Sequence, residues 1–160
     1  MVKKFLIAFT LLIAIASCKN EESKLTETDV PQEQQLQSRM DSLKKAGFSV
    51  FTYNEGDETF LMQEYYMVQL LSGPNDSLPK EETDRLQKEH LQHLSRMYKE
   101  GYASLIGPMS QGEEWRGIVV YNTPTLKMAD SLANLDPFVK SGVLKVKTTG
   151  WWTQKGGTLK

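Results

Sequence analysis

The chain has 160 residues, with 19 basic against 20 acidic side chains and a formal net charge of −1. That balance argues against nucleic acid as a partner, because phosphate binding draws on an excess of Lys and Arg. Cys18 is the single cysteine, which excludes an internal disulfide and a zinc–thiolate cluster and leaves stability to packing.

The amino end carries Lys3 and Lys4, an apolar run from Phe5 to Ala16, and small residues up to Cys18. The run is shorter than a membrane-spanning helix needs. Ile15-Ala16-Ser17-Cys18 resembles the lipobox of bacterial lipoproteins. The resemblance implies cleavage before Cys18, acyl chains (palmitate among them) on Cys18, and anchoring in the bacterial cell envelope, at an outer membrane facing the periplasm or the surface. An ordinary secretory leader or a short membrane anchor with an incidental cysteine is the alternative. Without residues 1–17 the balance is 17 basic against 20 acidic, a net charge of −3. The roughly 140 residues left suit one domain.

Residues 18–47 read as a lipidated tether, polar from Lys19 to Gln35 and unable to bury a core. Lys19-Asn20-Glu21-Glu22 resembles the export signal of surface lipoproteins in Bacteroidota. Leu36, Met40 and Leu43 have helical spacing before Gly47, which predicts a short amphipathic helix. Residues 48–63 read as an arm, with Phe48–Tyr53 lying against a domain at 64–152 as an extra strand or as an arm, and residues 153–160 as a polar tail.

Within the domain, Tyr65–Leu71 predicts a strand that ends at Ser72-Gly73-Pro74. Ser77 is placed to cap a helix reaching Glu100, with Gly101 as its stop. Strands follow at Tyr102–Ile106 and Gly117–Tyr121, then a helix from Thr123-Pro124 through Leu135 that Asp136-Pro137 terminates, then a strand at Val143–Thr148. This order predicts an α+β, ferredoxin-like split βαβ domain with both helices on one face of an antiparallel sheet. The first strand is apolar on both sides, so the other face also needs cover, either from a second copy of the chain or from the arm.

Both histidines lie on the first domain helix. Helical spacing puts Leu86, Leu91, Leu94, Met97 and Tyr98 on one side with His90 among them, and His93 on the flank nearer the polar side. An inward imidazole requires a partner, and Asp136 is the candidate. The residues leave two readings open: a His90–Asp136 pair for general acid–base chemistry, or a helix-terminating aspartate beside a satisfied core histidine. Two imidazoles without a third ligand do not make a metal site, and neither a metal nor a cofactor is expected. Arg116 is placed either to hold an anionic ligand or to pair with Glu113 and Glu114. Trp115, Trp151 and Trp152 line a cleft or complete a core.

His90-Leu91-Gln92-His93-Leu94, Gly107-Pro108, Arg116-Gly117 and Asp136-Pro137-Phe138-Val139-Lys140-Ser141-Gly142 together resemble the YCII-related (YciI-like) family over about Tyr65–Trp152. Gln69-Leu70-Leu71-Ser72-Gly73-Pro74 and Trp151-Trp152 resemble its larger subgroup. The resemblance implies a homodimeric α/β barrel and carries the family's proposed histidine–aspartate pair to His90 and Asp136. Read from the residues themselves, His93 and Arg116 are the ligand-binding candidates. Two functions compete: a small-molecule enzyme, or a non-catalytic lipoprotein that binds a small ligand or supports an envelope complex; a third, a surface protein recognising extracellular macromolecules, rests only on the export-signal resemblance.

Overall fold

The computed structural model describes residues 31–111 and 113–159. The apolar leader, the lipobox with Cys18 and residues 18–30 of the expected tether lie outside the described residues. The elements are α1 (Gln32–Lys45), β1 (Val50–Glu55), β2 (Glu58–Ser72), α2 (Lys80–Lys99), β3 (Ala103–Pro108), β4 (Trp115–Tyr121), α3 (Leu126–Ala133), α4 (Pro137–Lys140) and β5 (Leu144–Gln154).

Strands β5, β2, β4 and β3 form an antiparallel sheet in that order. With its helices this is the α+β arrangement of a ferredoxin-like domain. β2 organises it, and its 15 residues run well past the strand expected at Tyr65–Leu71. Its first half pairs with β1 in a hairpin turned by Gly56, whose φ of +59° suits glycine. Sequence periodicity is weak there because β1 is exposed along nearly its whole length.

Tyr66, Val68 and Leu70 face the core with Leu86, Met97, Val119, Tyr121, Ala129 and Phe138. The alternate residues Leu61, Gln63 and Tyr65 are buried on the opposite face, as is Val120. α1 packs against β1, and its Arg39 lies close enough to Tyr65 to act on it electrostatically. α1 therefore lies over the end of this face around Tyr65. Met67, Leu71, Leu105 and Ile118 farther along are only half-buried.

Three local expectations change. α2 starts at Lys80 with Pro79 at the cap position, while the Ser77 hydroxyl donates to Asp76 Oδ1 instead of capping. The stripe that α2 buries is Leu86, His90, His93 and Met97, whereas Leu91 and Tyr98 are exposed. α2 packs against both β3 and α4, which turns His93 inward from the flank expected for it. Finally, the helix expected through Leu135 ends at Ala133, and Asp136 begins a new helix instead of ending one.

Candidate functional site

Asp136 is the N-cap of α4. Its Oδ1 accepts from the Phe138 backbone N–H at 2.8 Å, with Pro137 at the first helical position where its missing N–H costs nothing. The other oxygen, Oδ2, lies 2.7 Å from His90 Nδ1. Both residues are buried, at 1% exposure for Asp136 and 8% for His90. A carboxylate accepts, so Nδ1 carries the proton and Nε2 is the remaining ring nitrogen. Phe138 stacks on the imidazole with centroids 5.1 Å apart. Capping and histidine-pairing are thus simultaneous roles of one carboxylate. The Phe138 contact lies within the Asp136–Gly142 motif, but only the short helix after Pro137 turns its ring toward His90.

His90 lines a cleft of about 620 Å³ between α2, the ends of β2 and β3, the start of β4, and α4. Leu70, Leu94, Ile106, Phe138 and Leu144 make most of its wall apolar, and Arg116 lies on the same wall. Gly73 closes one side. A Cβ there would lie 2.0 Å from the Gly142 carbonyl oxygen, so only glycine permits this approach. The Gly73 N–H donates to Val143 O, and Asn75 donates from its backbone N–H to Gly142 O and from Nδ2 to Ser141 O. These bonds pin the end of α4 to the end of β2. Asn75 was not evident from the sequence, where it reads as an ordinary turn residue.

His93 has a different setting. It is 5% exposed, and its Nδ1 accepts from Arg96 Nη2 at 3.2 Å, which puts the proton on Nε2. That buried nitrogen has no hydrogen-bond partner among the described residues. Burial pushes the His93 pKa below the usual histidine value; Asp136 opposes this, while Arg96, His90 and Lys140 add to it. His93 does not line the cleft that His90 lines. Tyr121, buried on β4, has its phenol pKa pushed up by burial and by the Asp136 charge. Among the described residues no three His, Cys, Asp or Glu side chains group as a metal site.

The fold and site define a small α+β domain with a buried histidine–carboxylate pair beside an apolar cleft. A family model described as the YCII-related domain matches residues 59–151, and the chain belongs to that family. Comparison with curated proteins gives no match.

His93 yields a pH prediction. Because folding lowers its proton affinity, the unfolded chain binds more protons below the usual value near 6.5. Its contribution is therefore complete above that value and is lost as pH falls below it through the lower folded-state pKa. Urea unfolding midpoints should drop between neutral and mildly acidic pH, and drop less in His93→Leu, which fills the site without a proton-binding group. Equal slopes in the two proteins would rule out a depressed His93 pKa.

Proposed function

We propose that this YCII-related domain is a small-molecule enzyme in which His90 acts as general base or acid, oriented by Asp136. The observation that carries the reading is the 2.7 Å contact between His90 Nδ1 and Asp136 Oδ2 on the wall of the cleft. With the Nδ1 proton held by a carboxylate, the lone pair of neutral His90 sits on Nε2, where it can take a substrate proton. The buried Asp136 charge then stabilises the imidazolium that forms. Asn caps a helix about as well as Asp, so Asp136→Asn separates the charge from the cap.

A nitro-substituted benzisoxazole tests this without knowledge of the natural substrate. A base removes its ring C–H proton, the N–O bond breaks, and a cyanophenolate is released. The protein should accelerate this elimination, and His90→Ala should lower the rate about a hundredfold or more. Asp136→Asn should fall in between. If His90→Ala matches the unsubstituted chain, the catalytic reading fails and a non-catalytic ligand-binding role takes its place.

The proposal extends to assembly and location. The half-buried Met67, Leu71, Leu105 and Ile118 favour a second copy of the chain against that face of the sheet. Gln69→Cys, at the centre of the face, should then give a covalent dimer with a short bis-maleimide, whereas Leu91→Cys on exposed α2 should not. Absence of the Gln69→Cys dimer would exclude this pairing. The lipobox-like segment supports an envelope anchor on Cys18. Cells fed a clickable palmitate analogue should label the chain and leave Cys18→Ser unlabelled, and an unlabelled wild-type chain would remove the anchor.

A further inference from the structure

We propose that Arg116 makes the cleft an anion-binding site, so that its ligand joins a compact apolar body to a carboxylate or similar oxyanion. The inference deepens the reading of the cleft given above and rests on it. Its first support is the backbone. Leu70 pairs with Gly117 while the next residue, Leu71, pairs with Trp115, which leaves Arg116 as the extra residue of a β-bulge. A bulge interrupts the ladder and re-aims a side chain. This one is restrained on both flanks. Trp115 Nε1 donates to Gly117 O at 2.9 Å, and a Cβ on Gly117 would come within 2.9 Å of the Gly107 carbonyl oxygen.

The second support is the charge. Glu113 and Glu114 precede Arg116 in sequence, yet neither carboxylate is ion-paired with it among the described residues, and Glu114 lies 3.8 Å from Lys145 instead. Arg116 has no ion pair among the described residues. Asp76 is the one carboxylate on the cleft wall, and its Oδ1 accepts from Ser77. A planar guanidinium without a carboxylate partner, at the edge of an apolar cleft that also holds His90, suits bidentate capture of an oxyanion. The apolar wall accommodates the rest of the ligand.

Benzoate and its neutral isostere benzamide are suitable probes, titrated into the full chain and followed by NMR at the His90 ring and the Trp115 indole. Benzoate should bind about tenfold more tightly than benzamide at low salt, the gap narrowing as salt screens an exposed arginine. Arg116→Gln should abolish the preference, and Arg116→Lys should keep part of it. Equal binding of the two probes, an unchanged preference in Arg116→Gln, or no saturable benzoate shift at His90 would each overturn the proposal. Proton elimination is read separately. Lost preference for benzoate with elimination intact overturns the anion site alone, whereas the reverse result overturns the His90–Asp136 assignment alone.

Discussion

The carboxylate of Asp136 holds the site together because its two oxygens serve two different parts of the chain. One accepts an unsatisfied backbone N–H of α4, and the other accepts a hydrogen bond from the ring N–H of a histidine 46 residues earlier. Each bond alone is modest: a helix cap contributes about 1 kcal/mol and a hydrogen bond to a charged group about 1.5–3 kcal/mol. Their value lies in sharing. α4 has only four residues, too few to hold its own direction, so the cap and the imidazole between them fix where Phe138 and the cleft wall stand. Removing the carboxylate altogether would orphan a buried N–H and a buried imidazole at once.

A second constraint is the close approach at Gly73 and Gly142. The positive φ of Gly142, +78°, turns the chain out of α4, and the absent side chain of Gly73 lets the two backbones meet. Asn75 then bonds the carbonyls that α4 leaves exposed at its carboxyl end. The cleft thus has one wall built mainly of backbone, which makes its shape less dependent on side-chain rotamers than a wall of leucines would be.

Much of this was legible in the sequence. The order of strands and helices in the domain follows from apolar runs punctuated by Gly and Pro, and Gly101 ends α2 with the positive φ expected of it. His90 read as inward-facing because Leu86 and Leu94 flank it at helical spacing. The misreadings share a cause: each depended on a neighbour distant in sequence. His93 turns inward because α4 packs against α2. Asp136 starts a helix rather than ending one because the segment after Pro137 has a place to dock. The extra strand offered for Phe48–Tyr53 does form, as β1, because β2 extends far enough to pair with it. The bulge at Arg116 leaves no mark in composition at all; it is a mismatch between two strands.

The length of β2 has a geometric consequence. At about 3.3 Å per residue, its 15 residues extend over nearly 50 Å. The chain enters the domain through α1, whose Gln32 and Glu33 sit beside Asp57 and Glu58 at one end of that strand. Ser72 and the cleft are at the other end. The strand therefore acts as a spacer, and whatever holds the chain at α1, the mouth of the cleft stands clear of it by most of the length of the sheet.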